Sequence, residues 1–205
     1  MKTEIVHPDE IRRGLEILQA GGLVAFPTDT VYGVGALAFD GKAVESIYLA
    51  KDRPVEKAIP ILIGDADDLP KVTSSPLPEM AVRLASRFWP GPVTLVLPKL
   101  QTLPEAISAT DTVAVRVPDH EVARALLRAT GPMAVTSANI SGGPNPTTAE
   151  EVLVQLGGRI PLIIDGGQTP GGIPSTLVDC TGETPKILRE GPVAMDELLS
   201  ALRSS

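Results

Sequence analysis

Glycine and proline interrupt this chain from end to end: 19 glycines and 20 prolines stand among its 205 residues. Proline removes a helical hydrogen bond, and glycine costs about 1 kcal/mol in a helix interior. Long-helix bundles and coiled coils are therefore excluded. The apolar share, 43%, is that of an ordinary globular protein and argues against wholesale disorder. Between the breakers only short elements fit, and their patterns alternate. One helix is predicted from His7-Pro8-Asp9, with Ile11, Leu15 and Leu18 on one face and Gly21-Gly22 as its stop. Further helices are predicted over 42–50, 78–88, 119–129, 148–156 and 195–203.

Short apolar runs read as strands at 23–26, 34–39, 59–63, 93–97, 112–117, 133–136, 162–164, 175–180 and 185–189. Short strand-to-strand connections, such as the one within 175–189, are interleaved with helical crossovers. The fold class expected is a single α/β domain on a mixed sheet.

Charge and composition narrow the function. The formal net charge is −7, so a polyanion must find a local basic pocket rather than a basic surface. Aromatic residues make up only 3%, which argues against rows of rings stacking on single-stranded nucleic acid. Cys180 is the one cysteine, so no intrachain disulfide is available, and with His7 and His120 it cannot assemble a Cys/His zinc site. Both histidines open helices and read as exposed capping-region residues. The opening MKTEIVHPDEIRR is polar and no run approaches 18 apolar residues, so a soluble, cytoplasmic setting is expected.

Polar groups gather where strands end. Pro27-Thr28-Asp29-Thr30-Val31-Tyr32-Gly33 reads either as a hydroxyl-rich cradle for a small ligand or as a turn bonded to itself. Lys51, Arg53 and Lys57 place three cations within seven residues as a helix ends, which suits a phosphate chain or simply the helix C-terminus. Thr136-Ser137-Ala138-Asn139 leads into Gly142-Gly143-Pro144-Asn145, a polar shelf that is neither a P-loop nor a Rossmann turn. Arg116 stands alone among apolar residues, either facing solvent or partnering a carboxylate. With Ser175 and Arg189, these groups suggest one crevice at the strand ends, the usual ligand position in open α/β sheets.

PTDTVYG, KDRP with Lys57, FWPGPVTLVLP, VAVRVP, TSANISGGPNPT, PSTLVD and ILREG, in this order, resemble the YrdC-like family and within it the short single-domain type that makes threonylcarbamoyl-AMP. The resemblance implies one domain over 1–205, with a motif-bearing core at about 8–192. It implies a twisted open mixed β-sheet flanked by helices, with a large positively charged cavity. The implied reaction joins L-threonine, bicarbonate or CO2 and ATP to give threonylcarbamoyl-AMP and pyrophosphate, the first step of tRNA threonylcarbamoyladenosine modification. Mg2+ is expected with the ATP phosphates, and no organic cofactor. A downstream threonylcarbamoyl-transferase complex is the implied recipient, with tRNA or double-stranded RNA a further partner and no membrane.

Carried over by motif, Thr30, Arg116, Val135, Thr136 and Ser175 are expected at threonine. Lys51, Arg53, Lys57, Thr112, Ser137, Asn139, Asn145 and Arg189 are expected at ATP, with Lys51 and Arg53 neutralising charge in the reaction. Asn145 stands where many relatives have serine, and Gly64 stands at or beside a position where some have histidine. Two alternatives remain: a carbamoyl-adenylate-forming relative and a non-catalytic RNA-binding or ribosome-maturation module.

Overall fold

Alternation along the strands settles which side chains meet which layer. The computed structural model describes residues 2–203, so Met1, Ser204 and Ser205 of the expected domain lie outside the described residues. Ten strands form one sheet: β1 (Glu4–Val6), β2 (Val24–Phe26), β3 (Gly33–Leu37), β4 (Ile61–Leu62), β5 (Val93–Pro98), β6 (Thr112–Arg116), β7 (Met133–Ser137), β8 (Leu162–Ile164), β9 (Thr176–Asp179) and β10 (Lys186–Arg189). Their spatial order is β1-β8-β2-β3-β7-β4-β6-β5-β9-β10. Pairs β1/β8, β2/β8, β4/β6 and β5/β9 are parallel and the other five antiparallel, so the sheet is mixed as expected.

Among the described residues six α-helices flank it: α1 (Ile11–Gln19), α2 (Gly41–Lys51), α3 (Glu79–Phe88), α4 (Glu121–Thr130), α5 (Ala149–Leu156) and α6 (Met195–Arg203). Their ends follow local chemistry. Asp40 Oδ1 accepts the Ala43 N–H at 3.0 Å to start α2, and Thr148 Oγ1 accepts the Glu151 N–H at 3.3 Å to start α5. At the end of α2, Asp52 takes a left-handed conformation (φ 49°), which turns the chain into the Arg53 loop.

One face of the sheet is thickly covered. Val34, Ala36, Ile61, Leu95, Leu97, Val113 and Val115 pack with Ile47 of α2, Leu84 of α3, Val152 of α5 and Leu198 of α6. On the opposite face, Leu18 of α1 and Leu126 and Leu127 of α4 pack on Val24, Phe26, Leu62, Met133, Val135 and Ile164. Those residues belong to the β8–β2–β3–β7–β4 portion. The alternate residues of β5, β6 and β9 on this face, among them Thr94, Val96, Thr112, Ala114, Arg116 and Leu177, join neither apolar cluster and line a cavity.

Three details differ from the sequence reading. The edge strand β1 was absent from it, because a three-residue strand with Glu4 and Ile5 exposed carries almost no pattern. The 59–63 run forms only the two-residue β4. His120 is not an exposed capping residue: it is half-buried, donates no cap, and its Nδ1 is buried without a partner among the described residues. His7 does cap its turn, accepting the Asp9 N–H at 3.3 Å.

Candidate active site

A cavity of about 490 Å3 lies on the uncovered half-face. Its floor is apolar, made by Leu62, Val96, Ala114, Val135, Leu177 and Leu188. Gly33 keeps that floor open toward β3, since a Cβ there would come within 2.7 Å of Val135 Cγ1. The charged groups lining the cavity are Arg53, Arg116, Arg189 and Glu56. Expected as a crevice at strand ends, the site instead occupies a sheet face. Strand-end loops form its walls, while alternate strand residues form its base.

Each arginine is aimed by oxygen acceptors. Arg53 donates from Nε to Lys57 O (3.1 Å) and from Nη2 to Ala58 O (2.8 Å). Arg189 donates from Nε (3.2 Å) and Nη2 (2.8 Å) to Ser175 O, and from Nη2 to Ser175 Oγ (3.2 Å). Arg116, only 5% exposed, donates to Gly91 O (2.9 Å), to Thr30 Oγ1 (3.0 Å) and to the carboxylate of Asp29. A guanidinium has five N–H donors, so each keeps some for a ligand. Burial pushes the pKa of all three downward, and at Arg189 the charges of Arg116 and Arg53 add to it. An anion bound among them would relieve that mutual repulsion.

Hydroxyls complete the walls in hydrogen-bonded sets. Thr28 and Thr30 pair at 3.0 Å, and Thr94 and Ser175 at 2.7 Å. Ser108, Thr110 and Thr112 form a chain with links of 2.9 Å, and the loop carrying it is tied down by Lys99 Nζ, which donates to Ser108 O at 2.7 Å. Hydroxyls that can donate or accept, over an apolar floor and beside guanidinium groups, suit a ligand with both anionic and neutral polar parts.

The Sua5/YciO/YrdC family model, described as telomere recombination, matches residues 16–191. The chain belongs to this family. A threonylcarbamoyl-AMP synthase of Pyrococcus abyssi is 47% identical over 191 residues, covering 92% of this chain and 56% of that protein. One from Bacillus subtilis is 44% identical over 192 residues, covering 92% and 55%. The chain thus spans about half the length of these two relatives. The crystal structure of P. abyssi Sua5 complexed with L-threonine superposes with a TM-score of 0.94 at 43% identity, covering 98% of this chain and 61% of that one.

Within this Sua5/YciO/YrdC fold, the expected residues divide. Thr30, Arg53, Thr112, Arg116, Val135, Thr136, Ser137, Asn145, Ser175 and Arg189 all line the one cavity. Asn145 also donates to Gly172 O at 3.2 Å, which links two of the loops. Three residues expected at ATP, Lys51, Asn139 and Lys57, do not line the cavity. Lys51 is 1% exposed, and its ammonium donates to Ser137 O, Asn139 O and Asn139 Oδ1 beneath the shelf. Burial, reinforced by Arg53, pushes its pKa down to about 7. Asn139 is buried too and spends its amide on Ile140 O (2.8 Å) and Gly143 O (2.9 Å), holding the shelf's shape. Lys57 is exposed and does not line the cavity; its carbonyl, not its ammonium, serves the site by accepting from Arg53. Gly64 lies off the cavity, packed against Arg128.

Sequence reasoning missed Thr94, Ser108 and Thr110 as wall groups. Thr94 had a signal, being polar at an alternate position of the strand VTLVLP. Ser108 and Thr110 sit in an irregular loop where no periodicity applies.

Proposed function

We propose that this chain is a threonylcarbamoyl-AMP synthase, converting L-threonine, bicarbonate or CO2, and ATP to threonylcarbamoyl-AMP and pyrophosphate. The observation that carries this reading is one cavity holding three arginines and paired hydroxyls, in a chain whose relatives bear that enzyme name and include one with L-threonine bound. We further propose one domain over 1–205 and a cytoplasmic setting. The continuous sheet supports the first. Supporting the second, no helix among the described residues is long and apolar enough to cross a membrane.

In the reaction, the amine of threonine adds to CO2 and loses a proton, giving a carbamate. A carbamate oxygen attacks the α-phosphorus of ATP, the bond to the β-phosphate oxygen breaks, and pyrophosphate leaves. In this reading Arg116, with Thr30 and Ser175, holds the amino acid by its carboxylate. Arg53 and Arg189 neutralise charge that builds on the phosphates. No protein nucleophile is required, so catalysis rests on alignment and charge stabilisation. Among the described residues no group of three His, Cys, Asp or Glu side chains is arranged to hold a metal ion. In this reading Mg2+ would accompany the ATP phosphates and offset their charge.

The test is pyrophosphate release that depends on both threonine and bicarbonate; its absence from the wild type overturns the reading. Release supported by carbamoyl phosphate in their place would assign the chain to carbamoyl-adenylate chemistry. An RNA-binding module is disfavoured because Arg12, Arg13, Arg83, Arg124, Arg128 and Arg159 at the surface are each paired with a carboxylate.

A further inference from the structure

The three cavity arginines differ in one respect. Arg116 is bonded to the carboxylate of Asp29, in a pair whose side chains are only 6% and 13% exposed. Arg53 and Arg189 are aimed by carbonyl and hydroxyl oxygens alone, and among the described residues neither has a carboxylate within ion-pair distance. Asp29 is not part of the cavity lining, although its neighbours Thr28 and Thr30 are. The lining carboxylate, Glu56, sits on the exposed loop after Arg53, where solvent screens it, and makes no ion pair among the described residues. Arg116 is thus neutralised from within the protein, whereas Arg53 and Arg189 carry positive charge that no paired carboxylate offsets.

We propose that Asp29 sorts anions within the cavity, leaving Arg116 able to hold the carboxylate of a zwitterionic amino acid but not a phosphate chain. The inference rests on the proposed function and assigns a specificity-determining role to a residue that does not itself contact the nucleotide. The physical argument is one of charge matching. Threonine carries no net charge, so its ammonium offsets its carboxylate, and a neutral Arg–Asp pair accepts it without a surplus of either sign. A polyphosphate oxygen at Arg116 would bring several negative charges close to the buried Asp29 carboxylate, where low dielectric makes the repulsion strong. At Arg53 and Arg189 the same oxygens meet guanidinium groups that no carboxylate pairs. Two substrates that each contain an anionic group are thereby steered to different arginines of one continuous cavity. Without such sorting, ATP or the pyrophosphate product would block the amino-acid subsite.

The test uses the full chain, inorganic pyrophosphate as probe, and calorimetric titration with L-threonine. In the wild type, pyrophosphate is expected to displace ATP while leaving threonine affinity within about twofold. In Asp29→Asn, which keeps an acceptor for Arg116 but removes the charge, pyrophosphate is expected to raise the apparent Kd for threonine competitively, by at least about tenfold. Asp29→Glu, which restores the charge, is expected to restore the discrimination. A residue acting only on folding would not make threonine binding depend on pyrophosphate. Competition of equal strength in wild type and Asp29→Asn, or in neither, overturns the proposal. If Asp29→Asn does not fold, the wild type decides: pyrophosphate that displaces ATP and spares threonine supports the sorting, and pyrophosphate that displaces threonine overturns it. A wild type that binds no threonine overturns the functional reading and this inference with it, whereas one that binds threonine and loses it to pyrophosphate overturns the sorting alone.

Discussion

Lys51 gives a sharp test, because its motif suggests a phosphate ligand while its ammonium donates to Ser137 O, Asn139 O and Asn139 Oδ1. Consider Lys51→Met, which keeps most of the buried stem and removes the nitrogen. Both Ser137 O and Asn139 O lose their lysine donor, but Ser137 O keeps the Asn139 N–H at 3.0 Å, so Asn139 O is the acceptor left stranded. A stranded buried acceptor costs about 1–3 kcal/mol, a sizeable share of the roughly 5–15 kcal/mol that holds a domain folded. Burial sets a second effect against this, because the folded-state pKa is pushed from 10.5 to about 7. Between those values the unfolded chain keeps a proton that the folded chain has shed. The unfolded state binds more protons there, so the wild type gains stability as pH rises through that window. From about pH 7 to about pH 9 the gain is roughly 2 kcal/mol, and methionine, which does not titrate, contributes none of it.

Urea unfolding of both proteins at the two pH values reads the difference directly. The variant is expected to be less stable at about pH 9, with the gap to wild type narrowing by about 2 kcal/mol at about pH 7. The folded variant is expected to bind threonine and ATP within a few-fold of wild type, since Lys51 does not line the cavity. A variant of unchanged stability at both pH values that has lost ATP binding would refute the reasoning and return Lys51 to the phosphates.

Other expectations concern the cavity and its frame. Arg53→Ala and Arg189→Ala are each expected to lower threonine-dependent pyrophosphate release by about 100-fold, roughly 3 kcal/mol of barrier; a wild-type rate in either removes that arginine from the chemistry. Gly191→Ala would place a Cβ 2.2 Å from the Thr176 nitrogen and 2.6 Å from the Ser175 carbonyl carbon. It is expected to cost at least about 1–3 kcal/mol in urea unfolding, and a neutral result would show that β9 can yield there. His120, whose pKa burial pushes below 6.5, leaves the unfolded chain with the extra proton under mildly acid conditions. Wild-type Tm is therefore expected to fall as pH drops below about 6.5, and His120→Asn to lose that part of the acid slope.

The elements were legible because each signal was local. Asp40 and Thr148 start helices within four residues of themselves, and β5 and β6 announce themselves by apolar alternation. What the sequence left open was distant pairing. Thr94 meets Ser175 across 81 residues of chain, and Arg116 meets Asp29 across 87. Arg116 was left between a solvent-facing charge and a carboxylate partner, and only the fold names the partner. Long side chains were the second gap. Lys51, Arg53 and Lys57 lie within seven residues, yet Lys51 ends α2 under the shelf, the left-handed turn at Asp52 leads Arg53 to the cavity, and Lys57 faces solvent.

The misplaced crevice follows from the same limit and shows where a readable signal was overlooked. A helix laid across the far half-face would have to bury Thr94, Thr112 and Arg116 against apolar side chains, at a cost of several kcal/mol for the guanidinium alone. Polar residues at alternate positions of β5 and β6, strands otherwise apolar, therefore demand that no helix cover them. Among the described residues α1 and α4 pack on that face, and the half they leave uncovered becomes the cavity. The polarity of the strands and the incomplete helical layer are one fact, visible in the sequence as Thr94, Thr112 and Arg116 breaking an apolar alternation on a single face.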